Sequence, residues 1–172
     1  YKKNAELAAG GAKAREEYDA RHNRSRLIKN LKSKSLMDRK FYEATFENFQ
    51  KTKSNTKQLL LCRRYAEVFS EMFRRNQGLL FYGDVGTGKT YMAACIANYL
   101  LSNSVSVVMT SFVQILSEAQ PFGSELFEQG LAEKLNKAKL LIIDDLGAER
   151  STDYALERVY GVIDSRYRAK KP

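Results

Sequence analysis

The octet GDVGTGKT at residues 83–90 constrains the fold more than any other stretch of this sequence. It matches the pattern G-x-x-x-x-G-K-[ST], with Gly83, Gly88, Lys89 and Thr90 at the fixed positions. Glycines let the backbone curl around an anion, and the N–H groups of such a loop point inwards. The octet follows an apolar run, GLLFY, and opens a helical pattern, KTYMAACIANYLL. This context favours a phosphate-binding loop over a structural glycine-rich turn.

The chemistry of such a loop assigns roles to its residues. Lys89 is expected to reach the β- and γ-phosphates of ATP or ADP, and the Thr90 hydroxyl to ligate Mg²⁺. Lys89 is therefore also a candidate catalytic residue. The predicted nucleotide-binding set in the loop and the first turn of the helix is Gly83, Asp84, Val85, Gly86, Thr87, Gly88, Lys89, Thr90 and Tyr91.

A second motif, LLIIDD at residues 140–145, places two carboxylates directly after four apolar residues. The apolar residues predict a strand, and ligands bind at the carboxyl ends of strands in open α/β sheets. Asp144 is therefore expected to hold Mg²⁺ through water, and Asp145 to act catalytically by polarising the attacking water. Two carboxylates near phosphates would repel them without a metal, which favours Mg²⁺. Alternatively, one of the two aspartates only caps the following turn, LGAERS.

Strands that alternate with helices predict an α/β fold with a parallel sheet. Residues 79–82 are expected to form a strand buried on both faces, because the run is short and continuously apolar. Residues 35–50, which contain three phenylalanines, are expected to form an extended entry segment against the edge of the domain. The other predicted strands are 105–110 and 139–145. Helical periodicity predicts helices at 54–77, 89–101, 111–120, 124–138 and 153–171.

The positive charge of the chain is concentrated in an N-terminal arm. The net charge is +9, and residues 1–40 hold 12 Lys and Arg against 5 Asp and Glu, which gives 12 − 5 = +7. We expect a charged helix or a flexible linker here, since helical propensity is present but an apolar face is not. The arm either contacts nucleic-acid phosphates or is a solvated linker. The predicted division is an arm at 1–40 and an ATPase core at 41–172.

The composition argues against a membrane-spanning protein and against a zinc-binding protein. No apolar run approaches the roughly 20 residues that span a bilayer, and the N-terminus lacks the apolar region of a signal peptide, so a cytoplasmic location is expected. Cys62 and Cys95 are isolated and are expected to be buried in a reducing compartment. Without a CxxC pair, no zinc site is predicted. His22, the only histidine, is expected to be solvated and without a role.

Three stretches together resemble a known family: GLLFYGDVGTGKTYMAACIANYLL, VVMTSFVQIL and LLIIDDLGAER. They look like the AAA+ ATPases of bacterial replicative helicase loaders, the DnaC/DnaI type, whose relatives include IstB-like transposition ATPases. The resemblance covers about residues 41–172. It implies a P-loop NTPase of AAA+ type, with three α/β/α layers around a parallel sheet. The stretch FYEATFENF is similar to the family's entry segment, which implies that Phe46 and Phe49 lie near the nucleotide base.

The resemblance also implies cofactors and partners. These are ATP or ADP with Mg²⁺, a hexameric DnaB-type helicase, single-stranded DNA and further copies of the chain through AAA+ interfaces. The arm would be the end of an N-terminal helicase-binding region, and residues 111–136 resemble a helical insertion that contributes to strand contact and self-assembly. The family's last strands, sensor residues and arginine finger would lie beyond residue 172. Because an arginine finger is worth about 10³–10⁵ in rate, the isolated chain is expected to be a weak or inactive ATPase.

More than one function remains open from the sequence. The first is a loader that helps place a DnaB-type helicase on single-stranded DNA. An IstB-like transposition-targeting ATPase would share the site but coat duplex DNA, and a nucleotide-binding adaptor would use ATP only to stabilise its structure. The basic arm fits the first two better. A metabolic P-loop kinase would need a substrate lid and catalytic arginines, which are not found in the expected places.

Overall fold

The computed structural model describes residues 2–119, 125–146 and 153–172. The elements are α1 (Lys2–Ser33), a 3-10 turn (Arg39–Phe41), α2 (Thr56–Glu67), α3 (Phe69–Arg74), α4 (Lys89–Ser102), β1 (Val107–Ser111), α5 (Phe112–Ala119), α6 (Glu125–Lys137), β2 (Leu140–Asp144) and α7 (Asp153–Arg168). The end of the predicted helix at 111–120 and all of the turn LGAERS after Leu146 lie outside the described residues.

The two strands form a parallel pair in which Val107 lies opposite Leu140. Successive side chains point to opposite faces of a sheet. Val107 and Met109 pack into the core that α2 and α4 form, whereas Val108 packs into a second cluster with residues of α5 and α6. Helices therefore cover both faces of the sheet. This confirms the predicted α/β/α layering and the parallel sheet.

Helix α4 runs from the glycine-rich loop through the centre of the core. Nine of its residues are buried, which agrees with its apolar composition on all sides. Its buried polar residue, Asn98, donates through Nδ2 to the carbonyls of Phe41 (2.8 Å) and Ala44 (2.9 Å). These bonds fix the entry segment on α4, where Phe46 is also buried. Residues 35–50 pack on the domain as predicted, but they are not extended throughout, because the segment contains the 3-10 turn Arg39–Phe41.

The single helix predicted at 54–77 is wrong, because the chain bends at Val68 and forms α2 and α3 instead. Val68 has φ −100° and ψ 20°, outside the helical region. The bend keeps Phe69 in the core, and the Tyr65 hydroxyl donates to the carbonyl of Gln77 at 3.0 Å. Tertiary contacts on both sides of Val68 thus override a continuous helical periodicity.

The strand predicted at 79–82 is also wrong. Leu80 is 80% exposed and Tyr82 is 89% exposed, so the run is not buried on both faces. A cavity of about 560 Å³ lies between this segment and β2, and it is lined by Leu79, Leu80 and Phe81 on one side and by all of β2 on the other. A strand is stabilised by hydrogen bonds to a neighbouring strand, and among the described residues the segment has none.

Helix α1 settles the choice between helix and flexible linker for most of the arm. It is attached near its C-terminal end, where Leu31 packs on the core and Arg24 Nη2 donates to the carbonyl of Ser102 at 3.4 Å. Just after it, the carbonyl of Ser35 accepts from the N–H of Met109 in β1. The division at residue 40 stays a prediction. None of the described helices is both long enough and apolar enough to cross a membrane.

Both cysteines are buried, as predicted. Cys62 is 3% exposed and Cys95 is 1% exposed, on α2 and α4 respectively. Burial raises the pKa of Cys62 to about 11 and that of Cys95 to about 12. Both thiols therefore stay protonated and unreactive at neutral pH, because the thiolate is the reactive form.

A buried cation joins α7 to the segment between α6 and β2. Arg166 is 5% exposed, and its guanidinium donates to the carbonyls of Leu135 (2.7 Å), Ala138 (3.1 Å) and Lys139 (3.3 Å), and also to that of Pro172. Burial lowers the pKa of Arg166 to about 10, so the group is still a cation at neutral pH. These bonds satisfy carbonyls that would otherwise lack partners near the start of β2.

We expect Arg166→Met to lower the free energy of unfolding by about 3 kcal/mol, since it leaves buried carbonyls unsatisfied. Urea unfolding followed by circular dichroism measures the change. The matched control is Arg168→Met, which removes an exposed residue on the same helix paired with Asp164 at 2.8 Å. An exposed pair is worth about 1 kcal/mol or less. Equal losses for the two variants would contradict the role given to Arg166.

Candidate functional site

The glycine-rich loop ends at the start of α4 in a form that is open to an anion. Gly88 precedes α4 with φ 89° and ψ 15°, and no side chain caps the first turn. The first N–H groups of the helix therefore have no side-chain acceptor, and a helix N-terminus attracts negative charge. The backbone angle at Gly88 favours glycine, and a Cβ there would lie 3.1 Å from the ring of Phe49, which would have to shift.

Lys89 lies across the loop rather than in solvent. Its Nζ donates to the carbonyls of Gly83 (2.8 Å) and Asp84 (2.7 Å). The Thr87 hydroxyl donates to the same Asp84 carbonyl at 2.9 Å, while Val85 at the tip of the loop is fully exposed. The ammonium is thus held at the mouth of the loop by neutral acceptors. A phosphate oxygen is a stronger acceptor for this ammonium, because its negative charge adds a Coulomb attraction to the hydrogen bond.

The two residues predicted as Mg²⁺ ligands meet in the structure. Thr90 Oγ1, in the first turn of α4, donates to Asp144 Oδ1, at the end of β2, at 3.0 Å. A hydroxyl and a carboxylate are the kind of oxygen ligands that Mg²⁺ prefers, and it keeps several waters beside them. The donor set therefore fits the metal. Its binding there stays a prediction.

Asp145 follows β2 in a left-handed conformation with φ 51°. Aspartate tolerates this conformation better than most residues, since its short polar side chain bonds locally. Its side chain is exposed and lines the same cavity of about 560 Å³ as Gly83, Lys89 and Asp144. The structure thus brings Asp145 together with the loop and with the metal-ligand pair, and its catalytic role stays a prediction.

A second cavity, of about 460 Å³, lies beside the loop, and Phe49 and Tyr91 contribute to its wall. Their ring centroids lie 5.6 Å apart. Phe46 does not line this cavity. It packs on Tyr99, which is about 12 Å further along α4 than Tyr91. The structure therefore brings only Phe49 of the two phenylalanines to the loop.

Polar residues of this second cavity were missed by the sequence analysis. The Tyr91 hydroxyl donates to Asn48 Oδ1 at 2.8 Å, which joins the entry segment to α4. Asn48, Gln50, Thr52 and Asn55 all line the cavity. No local signal marks these residues, because the entry segment has no regular period and their neighbours come from the loop, far along the chain. The pairing becomes visible only when the entry segment is placed on α4.

We expect Gly88→Ala to weaken nucleotide binding by at least about tenfold, because a left-handed non-glycine residue costs about 1–3 kcal/mol and the Phe49 ring must move. Titration of a fluorescent ATP analogue measures the affinity. The matched control is Gly130→Ala in α6, where a Cβ meets nothing within 4 Å. That change should stabilise the helix by about 0.5–1 kcal/mol and leave binding unchanged. Wild-type affinity in Gly88→Ala would contradict the required geometry of the loop.

Comparison with known sequences finds a matching family and several named relatives. The family model described as IstB-like ATP binding protein matches residues 11–171. The replicative helicase loader DnaC of Escherichia coli K12 is 27% identical over 155 residues, and that of Buchnera aphidicola from Schizaphis graminum is 26% identical over the same length. In both cases the match covers 88% of this chain and 62% of the relative. The replicative helicase loader DnaI of Bacillus subtilis is 36% identical over 92 residues, which is 52% of this chain and 29% of that one.

Among solved structures, a chain described as the crystal structure of the DnaI has a TM-score of 0.67 and 24% identity, with 79% of this chain and 72% of that one covered. This similarity agrees with the α/β fold described above. The chain spans 62% of the length of the DnaC proteins that it matches.

Proposed function

The chain belongs to the family of IstB-like ATP-binding proteins, and we propose that it binds and hydrolyses ATP within a loader that helps place a DnaB-type replicative helicase on single-stranded DNA. The observation that carries the ATP part is the contact of Thr90 with Asp144 at 3.0 Å beside Lys89 on its loop. The names of the DnaC and DnaI relatives support the loader part.

Nucleotide binding would use the loop as the structure presents it. Lys89 exchanges its two carbonyl acceptors for oxygens of the β- and γ-phosphates, while the free N–H groups at the start of α4 donate to the same anion. Thr90 and Asp144 would hold Mg²⁺, which neutralises phosphate charge when bound. Phe49 and Tyr91 line the cavity beside the loop, where the base and ribose would lie.

Hydrolysis would depend on Asp145, which polarises the attacking water. Its carboxylate lines the same cavity as Lys89 and follows directly after Asp144. A positioned general base contributes about 10²–10⁴ in rate. We propose that the isolated chain hydrolyses ATP slowly. Hydrolysis would act mainly as a switch between two states that bind the helicase and DNA differently.

The proposed partners are the helicase, single-stranded DNA and further copies of the chain. The relatives named as replicative helicase loaders support the first of these. The positive charge of α1 supports the second, since nucleic-acid affinity comes largely from neutralised phosphates. Self-association through AAA+ interfaces is proposed by analogy with the family that the chain resembles.

An IstB-like transposition-targeting ATPase is the second candidate, because the matching family model carries the IstB description. The two functions share the nucleotide site and differ in their DNA and protein partners. A loader forms a complex with a hexameric helicase and prefers a single strand. A transposition ATPase binds duplex DNA tightly and does not hold the helicase.

The deciding experiment mixes the full-length protein with the replicative helicase of its own organism, with ATP and Mg²⁺, and follows complex formation by size-exclusion chromatography. We expect a stable complex that elutes ahead of the free helicase. The control is the helicase of an unrelated bacterium, which should bind more weakly. Absence of a complex with the cognate helicase, together with tight duplex binding, would reject the loader and favour transposition. Absence of both would favour a nucleotide-binding adaptor.

A further inference from the structure

The outward side of α1 carries a row of basic and aromatic residues. Arg15, Tyr18, His22, Arg26 and Lys29 follow one another at spacings of three or four residues, which places them on one face of the helix. All five are exposed. The row is about 21 Å long, at a rise of 1.5 Å per residue. We call these five residues the basic face.

The attachment of α1 to the domain leaves the basic face free. Leu31 packs on the core, Ile28 is half-buried, and Arg24 Nη2 donates to the carbonyl of Ser102. These three residues also follow one another at spacings of three or four, so they share the opposite side of the helix. The domain thus holds α1 from one side, and the basic face points away from it.

Most of the basic face has no compensating charge, and carboxylates lie only at its N-terminal end, where Glu16, Glu17 and Asp19 follow Arg15. Between Asp19 and Asp38 the sequence contains no acidic residue. Within the described part of the chain, Arg15, Arg26 and Lys29 form no ion pair, although pairs are formed elsewhere, for example on α2 and α3. A row of free cations on one surface attracts a polyanion, and counterion release then drives binding.

The aromatic residues of the basic face favour a single strand over a duplex. The Tyr18 ring is 65% exposed and stacks on His22, with centroids 5.9 Å apart and an interplanar angle of 16°. A base of a single strand can stack on an exposed ring, whereas the bases of a duplex are already stacked on one another. Cations beside an aromatic platform are the usual arrangement for binding single strands.

We propose that the basic face of α1 binds the phosphate backbone of single-stranded DNA, with a base stacked on Tyr18. The choice of DNA as the polyanion rests on the proposed loader function. The sequence alone did not decide whether the arm contacts nucleic-acid phosphates or is a solvated linker. It also predicted no role for His22. On this proposal, His22 supports the Tyr18 ring.

The test is the variant Arg15→Gln/Arg26→Gln/Lys29→Gln in the full-length protein, because glutamine keeps the helical propensity of the row and circular dichroism checks the helix. Fluorescence anisotropy with labelled oligothymidine, repeated over a series of salt concentrations, gives the affinity. We expect a loss of at least about tenfold at low salt. The slope of log K against log salt should fall by about 2, at about 0.7 for each lost phosphate contact on a single strand.

The matched control is Lys57→Gln/Arg64→Gln/Arg74→Gln, which removes three exposed cations of α2 and α3 that form no ion pair with a described residue. It should keep the wild-type slope, and Tyr18→Leu should lower affinity without changing the slope. Equal losses in the two triple variants, or equal binding of duplex and oligothymidine by the wild type, would overturn the proposal.

Two further measurements on the same samples separate this proposal from the proposed function. Titration of a fluorescent ATP analogue and size-exclusion chromatography with the cognate helicase report on the loader. If the protein binds the ATP analogue and the helicase while the basic-face variant binds DNA like the wild type, the loader function is supported and the basic face is not its DNA site. If the variant keeps DNA binding but loses the helicase complex, the basic face binds protein instead, and the proposal is wrong.

Discussion

Replacing Lys89 by alanine should lower the affinity for Mg·ATP by at least about 100-fold. The Lys89 ammonium is the one loop side chain expected to reach the β- and γ-phosphates, and hydrogen bonds to charged groups contribute about 1.5–3 kcal/mol each. Calorimetric titration with ATP and Mg²⁺ measures the effect. In the structure the ammonium donates to two exposed carbonyls of the loop, which water can satisfy in the variant, so the fold should lose little stability when no nucleotide is bound.

Two controls give this result its meaning. Lys57→Ala removes an exposed cation of α2 and should leave the affinity unchanged. Thermal unfolding of Lys89→Ala without nucleotide should match the wild type closely, which shows that lost binding is not lost folding. Nucleotide should raise the unfolding temperature of the wild type and not that of the variant. Wild-type affinity for Mg·ATP in Lys89→Ala would mean that the loop does not bind the nucleotide.

The parts of the site that sequence reasoning predicted are those where the chemistry is local. The glycine-rich loop needs its residues in consecutive positions, and LLIIDD places its carboxylates at the carboxyl end of a strand, where ligands bind in open α/β sheets. The contact between Thr90 and Asp144, which are 54 positions apart, could therefore be expected from the two motifs alone.

The errors lie where distant residues decide. The apolar run at 79–82 looks like a strand, but a strand needs a neighbour, and the adjacent space beside β2 is a cavity. The break at Val68 depends on what Phe69 and Tyr65 contact, which periodicity does not reveal. Nothing in the sequence distinguishes Phe46 from Phe49, and both are expected near the nucleotide base. In the structure Asn98 fixes the entry segment on α4, and only Phe49 reaches the loop.

The variant Asp145→Asn should keep nucleotide binding and lose most of the rate of hydrolysis. Asp145→Asn removes the carboxylate that would polarise water and leaves Thr90, Asp144 and Lys89 in place, so we expect nucleotide affinity to be unchanged. The turnover number of the full-length protein, measured as phosphate release with helicase and single-stranded DNA present, should fall by about 10²–10⁴. Residue 145 has φ 51°, and asparagine adopts this conformation as readily as aspartate, so the fold should be preserved.

The neighbouring carboxylate supplies the comparison for this prediction. Asp144→Asn alters the contact with Thr90 and should raise the Mg²⁺ concentration needed for ATP binding, which Asp145→Asn should not do. The two adjacent carboxylates are thus distinguished by which measurement each one changes. Turnover at the wild-type rate in Asp145→Asn would assign the water to another residue. A matching shift in Mg²⁺ dependence in both variants would mean that the two carboxylates act together on the metal.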